Sequence, residues 1–221
     1  MSKRTRARYD QNYAAIEDDI LKMGSLVQDA IRNSIESLKQ RDTNMAQEVI
    51  DRDLRINELR FKIEEACLTL IATQQPAAGD LRAVVAAMNI VVDMERMADH
   101  ASGIAKTVIR MGDEPLLKPL IDLPKMADIA RDMLSDSLDA FINRDAAAAK
   151  AIAPRDVEMD VLYKAIFDEL VEIMAHKPGS VERATYLLWC AHNLERIGDR
   201  SINIVERVIF MTTGDMRELT F

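Results

Sequence analysis

The sequence predicts an all-α protein made of two tandem antiparallel three-helix bundles, with six helices in all. Three observations support this prediction. Apolar residues recur every three or four positions over long stretches, as they do on one face of a helix. Segments containing Pro and Gly interrupt these stretches. The second half of the chain repeats the pattern of the first half at an offset of about 100 residues.

Composition narrows the class of protein. The 221 residues include only 7 Gly and 6 Pro but 13 Met, which is typical of a helical chain with an adaptable aliphatic core. The net charge of -8 argues against nucleic-acid binding. No run approaches the ~18 apolar residues of a membrane span, so direct membrane insertion is not expected. Cys67 and Cys190 are isolated, as expected of reduced thiols in a cytoplasmic protein.

The first helix is predicted over residues 9–40, because seven aliphatic residues recur there at spacings of three and four. These residues are Ile16, Ile20, Met23, Val27, Ile31, Ile35 and Leu38. A turn follows, in which Asp42 or Thr43 is predicted to cap the second helix. The second helix continues to a break over residues 74–80, where Pro76 disfavours helical backbone at the residue before it.

The third helix is predicted over residues 81–111, with Asp80 or a neighbour at its start. Three prolines within ten residues then predict a stiff crossing between the two halves. Pro124, the last of them, suits the first turn of the fourth helix. Residues 1–112 are therefore assigned to the first bundle and residues 113–221 to the second, the two forming one continuous unit.

The second half repeats the first at an offset of 103 residues, which falls to 100 in the last helix. Asp145 matches Asp42, and Pro178 stands in the place of Pro76. We interpret this pattern as the duplication of a three-helix unit. Pro154 does not fit the repeat, and it is expected to bend or delay the fifth helix near its start.

One acidic motif occurs twice, in the third helix and in the last. Glu95 and Asp99 are four residues apart, and so are Glu195 and Asp199. Side chains four apart share one face of a helix, so each pair is a like-charge pair that is mildly unfavourable in isolation. A hard cation held between the carboxylates would explain why both pairs are present.

The preceding helix of each half contributes a second pair of polar residues. Counted from the turns, Asp53 and Asn57 stand at the height of the first motif, and Asp156 and Asp160 at the height of the second. Asn203 could extend the second group. The first acidic cluster is defined as Asp53, Asn57, Glu95 and Asp99. The second acidic cluster is defined as Asp156, Asp160, Glu195 and Asp199.

Carboxylate and amide oxygens suit hard cations. We expect a divalent or trivalent metal with oxygen ligands, with iron, manganese or magnesium favoured and zinc, aided by a ligand such as His100, less so. In the alternative interpretation the faces are merely solvated, and Arg96 and Arg196 bridge to the aspartates three residues further on. Neither a Gly-rich phosphate loop nor a nucleophile elbow nor a Cys-x-x-Cys motif occurs, so no enzyme activity is predicted.

The duplicated Glu-Arg-x-(Ala/Gly)-Asp motif, with Gln74-Gln75-Pro76 and Asp80-Leu81-Arg82, closely resembles the PhoU family of phosphate-specific transport accessory and signalling proteins. The resemblance covers about residues 9–211. It implies two three-helix bundles, metal clusters on the paired acidic motifs in some members, and a cytoplasmic, usually dimeric protein. Carried over by position, the metal ligands are the eight residues of the two acidic clusters. Asn57 departs from the carboxylate expected at its position.

Membership of this family would further imply negative regulation. When phosphate is plentiful, such a protein links a phosphate ABC transporter, through its ATPase, to the sensor histidine kinase of the phosphate regulon. The leading prediction is thus a non-enzymatic homodimeric regulator of phosphate uptake and starvation signalling, with metal on two acidic faces. The alternatives are a metal-binding or storage bundle and a plain coiled-coil scaffold, both outside phosphate control.

Overall fold

The computed structural model describes residues 3–112 and 114–215, with side chains from residue 6 onward. The outer limits of the predicted bundles, at residues 1, 113 and 221, lie outside the described residues. The elements are α1 (Lys3–Gln40), α2 (Thr43–Gln74), α3 (Gly79–Met111), α4 (Asp122–Asn143), α5 (Ala146–Lys150), α6 (Ala153–His176), a 3₁₀ turn (Pro178–Ser180) and α7 (Val181–Thr213). The predicted all-α fold of two three-helix units is confirmed, with α5 as a single added turn.

The helices form two layers around one core. In one layer α3 packs along α7, with α2 on the outer side of α3 and α6 on the outer side of α7. In the other layer α1 covers α2 and α3, while α4 covers α6 and α7 and also contacts α1. The buried aliphatic residues form one cluster that runs through both halves. Across the described helices, no eighteen-residue window is apolar enough to match the interior of a bilayer.

The central helices α3 and α7 are antiparallel. Near the start of α3, Arg82 Nε donates to the carbonyl oxygen of Met211 near the end of α7, at 3.3 Å. Further along α3, His100 Nδ1 lies 2.9 Å from Asn193 Oδ1, nearer the start of α7. Because equivalent positions of the two helices are 100 residues apart, this contact creates a pseudo-two-fold relation between the halves. The α3–α7 contact is called the seam of the two halves below.

Equivalent aspartate caps follow the first long helix of each half. The carboxylate of Asp42 accepts hydrogen bonds from the backbone N–H groups two and three residues further on, at 2.9 and 3.0 Å. Asp145 does the same at the start of α5, with both distances 2.9 Å. The cap of α2 is therefore Asp42 and not Thr43, because the side-chain oxygen of Asp42 satisfies N–H groups that have no partner within the helix.

The predicted start of the first helix at residue 9 is wrong, because α1 already begins at Lys3. Arg6 Nε pairs with Asp10 at 2.9 Å, and Arg6 Nη1 reaches Asp80 at 2.5 Å. The hydroxyl of Tyr9 donates to the carbonyl oxygen of Asp80 at 3.1 Å. These contacts hold the extra turns of α1 against the start of α3. Those with Asp80 join residues more than 70 positions apart, so the local apolar periodicity gives no sign of them.

Two later helices also depart from the predicted bounds. α3 begins at Gly79, two residues before the predicted start. The predicted fifth helix is divided, because Ala151 and Ile152 separate α5 from α6. Pro154 then lies in the first turn of α6, where its missing N–H would have no partner in any case. The expectation that Pro154 delays this helix is confirmed.

Replacing Asp42 with Ala should lower the free energy of unfolding by about 1 kcal/mol, because two N–H groups at the start of α2 lose their acceptor. Asp42→Asn keeps a side-chain oxygen at this position and should retain most of the stability. Urea unfolding followed by circular dichroism measures both variants. Equal losses of stability in the two variants would contradict the capping role.

Candidate functional site

The first acidic cluster lies in the groove between α2 and α3. Burial raises the pKa of Asp53 above its ordinary value, and the carboxylate of Asp99 raises it further. Lys106 partly offsets these effects, and Glu95 adds a smaller increase. Asn57 Nδ2 donates to Asp53 Oδ2 at 3.4 Å. The two residues from α2 therefore face the acidic motif of α3.

Arginine side chains neutralise much of the first acidic cluster. Glu95 is only 9% exposed, and its Oε1 lies 3.4 Å from Arg60 Nη1. Its Oε2 lies 3.6 Å from Arg96 Nε, and Arg96 Nη1 lies 3.4 Å from Asp99 Oδ2. With Lys106 also near Asp53, the carboxylates of this groove already have cationic partners.

The second acidic cluster lies in the equivalent groove between α6 and α7. Burial, followed by the charges of Asp160 and Asp199, raises the pKa of Asp156 to about 6. Burial and then Asp199 raise the pKa of Glu195, Arg196 lowers it, and Asp160 and Asp156 raise it slightly. Because each of these pKa values responds to the other carboxylates, the four acidic side chains lie near enough to affect one another's ionisation.

The second acidic cluster lacks the arginine that contacts Glu95 in the first. Tyr163 occupies the position equivalent to Arg60, at the offset of 103, and its ring centroid lies 6.2 Å from that of His192. His192 Nδ1 lies 3.5 Å from Glu195 Oε2, which is buried and has no hydrogen-bond partner, as is also true of Glu95 Oε2 in the first cluster. The second cluster therefore contains more acidic groups and fewer cationic partners than the first.

Both clusters also contain the bridges expected of solvated faces. Arg196 Nη1 lies 2.7 Å from Asp199 Oδ2, as Arg96 lies near Asp99 in the first cluster. Among the described residues, no three His, Cys, Asp or Glu side chains are gathered closely enough to hold a metal ion. Metal binding would therefore require the carboxylates to turn away from these arginines and towards one another.

The composition of the two clusters can still be compared with what a hard cation needs. Four carboxylates make the second cluster a suitable set of oxygen donors. The first cluster fits less well, because Arg60 and Arg96 lie against Glu95 and Asn57 replaces a carboxylate. The metal assignment of the eight residues stays a prediction, and the structure favours the second cluster over the first.

Sequence reasoning missed the polar contacts of the seam. Asn203 does not extend the second acidic cluster as expected. Its Nδ2 instead donates to Asp93 Oδ1 at 3.0 Å, and Arg200 Nη1 lies 3.4 Å from the same oxygen. Asp93 and Asn193 are equivalent in the repeat, and so are His100 and Arg200. Polar residues recurring at equivalent positions of two otherwise apolar helices were the available signal.

The sequence of this chain is similar to a known domain family and to known proteins over most of its length. The PhoU domain matches the chain twice, over residues 20–108 and 123–208. A phosphate-specific transport system accessory protein PhoU homolog from Clostridium acetobutylicum is 36% identical over 216 residues, covering 97% of this chain and 99% of the relative. A homolog from Aquifex aeolicus with the same description is 36% identical over 200 residues, covering 90% of each chain.

Two crystal structures are also similar to this chain. PhoU from Pseudomonas aeruginosa superposes with a TM-score of 0.89 at 31% identity, covering 94% of this chain and 100% of that one. The phosphate transport system regulatory protein PhoU from Streptococcus pneumoniae superposes with a TM-score of 0.89 at 33% identity, covering 96% of this chain and 100% of that one. The likeness therefore extends over both halves and their packing.

Replacing Asp156 with Asn should stabilise the metal-free protein at neutral pH. Because the folded-state pKa of about 6 lies above the ordinary value of 3.8, ionisation of Asp156 disfavours folding. This penalty is absent below about pH 4 and complete above about pH 6. The variant should gain about 1 kcal/mol at pH 7, allowing for solvent screening of a half-buried group, and almost nothing at pH 4.

Urea unfolding with a chelator present, at pH values from 4 to 7, measures this difference. Asp53→Asn is the matched control in the first half and should gain less, because Lys106 lowers the pKa of Asp53. A gain for Asp156→Asn that is the same at every pH would contradict the electrostatic explanation.

Proposed function

Because this chain belongs to the PhoU family, we propose that it is the regulatory accessory protein of a phosphate-specific transport system. The observation that carries this proposal is the match of both halves to the PhoU domain, over almost the full length of relatives that bear this description. Agreement over both halves matters, because the α3–α7 seam makes the two bundles one body that presents its surfaces together.

The finer part of the proposal concerns regulation. When phosphate is plentiful, this protein acts as a non-enzymatic negative regulator in the cytoplasm. It links the phosphate ABC transporter, through its ATPase, to the sensor histidine kinase of the phosphate regulon. Exposed apolar side chains on α2 support a role in binding other proteins. Examples are Leu54, which is 68% exposed, and Phe61, which is 61% exposed.

A hard cation at the second acidic cluster is also part of the proposal. Asp156, Asp160, Glu195 and Asp199 would hold it through oxygen atoms, with iron, manganese or magnesium favoured over zinc. Its charge would offset the burial and the mutual repulsion that raise the pKa values of these groups, and it would hold α6 against α7. The first cluster would bind more weakly, because its arginines compete for the same carboxylates.

Each of two alternative functions has one observation in its favour. The carboxylates of the second cluster would equally serve a metal-binding or storage bundle outside phosphate control. The bridges from Arg96 to Asp99 and from Arg196 to Asp199 would equally suit a plain helical scaffold without metal. Neither alternative accounts for the match of both halves to PhoU proteins.

Deleting the gene should raise the expression of a phosphate-regulon reporter in phosphate-rich medium, because the inhibitory link to the sensor kinase is lost. Phosphate uptake should lose its dependence on external phosphate in the same strain. A plasmid copy of the wild-type gene is the control and should restore repression. A reporter that stays silent in the deletion strain in phosphate-rich medium would rule out negative regulation.

Asp199→Ala should lower the metal content of the purified protein more than Asp99→Ala, because the second cluster has more carboxylates and fewer cationic partners. Elemental analysis of the two matched variants gives the ranking. Chelation should also lower the melting temperature of the wild-type protein by several degrees. A cation that binds only the folded state adds roughly 2.7 kcal/mol at a hundredfold excess over its Kd.

A neutralised variant serves as the control for the melting experiment. It carries the substitutions Asp156→Asn, Asp160→Asn, Glu195→Gln and Asp199→Asn. This variant should melt at the same temperature with and without chelator, and above the chelated wild-type protein, since the carboxylate repulsion is gone. If the chelated and untreated wild-type proteins melt together, and their metal content is nil, the acidic faces are only solvated.

A further inference from the structure

The outer face of α6 carries a heptad stripe that its own bundle leaves exposed. The stripe consists of Val157, Val161, Lys164, Asp168, Val171 and Ala175, at alternating spacings of four and three. Val157 is 56% exposed, Val161 64% and Val171 42%. This stripe is separate from the side of α6 that packs on the core, which includes Met159, Ile166 and Leu170. Apolar residues at heptad spacing on an outer face are typical of a helix that pairs with another helix.

We propose that this stripe is the contact of a homodimer, in which α6 pairs antiparallel with α6 of a second copy. The sequence predicts a dimer but does not identify the residues that form its contact. The stripe provides such residues and also fixes their alignment. With Lys164 opposite Asp168 of the partner subunit, Val161 meets Val171 of the partner subunit and Val157 meets Ala175 of the partner subunit. The inference goes beyond the proposed function and does not depend on it.

The charges of the stripe are complementary to those of a second copy of the same stripe, which favours a second copy of the chain as its partner. Within one chain, Lys164 Nζ and Asp168 Oδ2 are 3.3 Å apart, and both side chains are exposed. An antiparallel copy of the same helix presents these two charges in reverse order, so two ion pairs form across the dimer axis. Charged residues at the centre of an otherwise apolar contact also specify its register, because a shifted alignment would bury them unpaired.

The flanks of the stripe are unequal. Phe167, which is 44% exposed, lies beside the stripe and would meet Phe167 of the partner subunit at the dimer axis. On the other flank Glu158 would face Glu172 of the partner subunit, which is a like-charge pair. Both glutamates are exposed, so water and salt screen most of this repulsion. The charges that favour the dimer lie within the stripe, and those that oppose it lie at the rim.

The equivalent stripe on α2 shows why α6 and not α2 forms the contact. It consists of Leu54, Glu58, Phe61, Glu65, Leu68 and Ala72, at the offset of 103. Leu54, Phe61 and Leu68 are 68%, 61% and 57% exposed, so apolar surface alone would favour α2. However, antiparallel self-pairing of α2 would place Glu65 against Phe61 and Glu58 against Leu68 of the partner subunit. No lysine or arginine within this stripe would balance those glutamates.

The first test compares matched substitutions on the two outer helices. In sedimentation velocity at micromolar concentration, the full chain should behave as a species of twice its 24.9 kDa mass. Val171→Glu should weaken dimerisation at least about tenfold, because it puts a charge opposite Val161 of the partner subunit. Leu68→Glu makes the equivalent change on α2 and should leave the dissociation constant unchanged.

The second test exchanges the charges. Lys164→Glu and Asp168→Lys should each weaken self-association at least about tenfold, because like charges then face each other across the axis. An equimolar mixture of these two variants should form a heterodimer, since each chain supplies the charge that the other lacks. The double variant Lys164→Glu/Asp168→Lys should dimerise again, and Glu172→Lys should tighten the dimer. Circular dichroism of each variant checks that the helices are intact.

Several results would overturn the inference. One is a wild-type protein that sediments at 24.9 kDa throughout the micromolar range. Another is an equal loss of association in Leu68→Glu and Val171→Glu, which would move the contact to α2 or elsewhere. A mixture of the two charge variants that stays monomeric would exclude the proposed register. Open-ended species that grow with concentration would indicate a head-to-tail contact in place of a two-fold one.

Discussion

Everything else in this molecule is arranged around the antiparallel contact between α3 and α7. Buried aliphatic side chains on these two helices, such as Met97 and Ile197, contribute hydrophobic free energy to folding. Apolar packing alone would tolerate a shift of one helix along the other. The polar pairs of the seam do not, because a shift would bury Asp93 without Arg200 and would separate His100 from Asn193. These pairs therefore specify the alignment from which the outer helices take their places.

The two acidic clusters show how side chains diversify one backbone arrangement. The same pair of helices creates the same groove in each half, and carboxylates line both grooves. In the first groove Arg60 lies against Glu95, whereas Tyr163 at the equivalent position brings no charge. A few side chains thus decide whether the carboxylates of a groove have cationic partners or are left in excess. The fold places the carboxylates, and their neighbours decide the electrostatic balance.

The second groove also lies on the helix that carries the exposed stripe. Asp156 is half-buried beside Asp199 of α7, whereas Val157 and Val161 are exposed on the outside of α6. Any ligand that holds α6 against α7 would also restrict the orientation of the stripe. The proposed metal site and the proposed dimer contact would therefore be mechanically connected, because both include residues of α6.

Much of this architecture could be predicted from the sequence because its causes are local. Apolar periodicity identified the six long helices, and the repeated caps and turns related the two halves. The errors concern contacts between residues far apart in the chain. Arg6 extends α1 by reaching Asp80, and Asn203 faces Asp93 rather than the second acidic cluster. Periodicity reveals which side of a helix is buried, but it does not reveal which neighbour covers that side. The ion pair between Arg60 and Glu95 was missed for the same reason.

The pseudo-two-fold relation within one chain has an evolutionary consequence. In an assembly of two identical subunits, every mutation appears on both sides of the axis, so the two sides cannot adapt separately. Here the halves are joined in one polypeptide, and each position of the ancestral unit can change alone. The divergence of Arg60 from Tyr163, and of Glu58 from Val161, is variation that an identical pair could not have acquired. Joining the repeats in one chain therefore allows the two halves to differ in charge and surface while they share one framework.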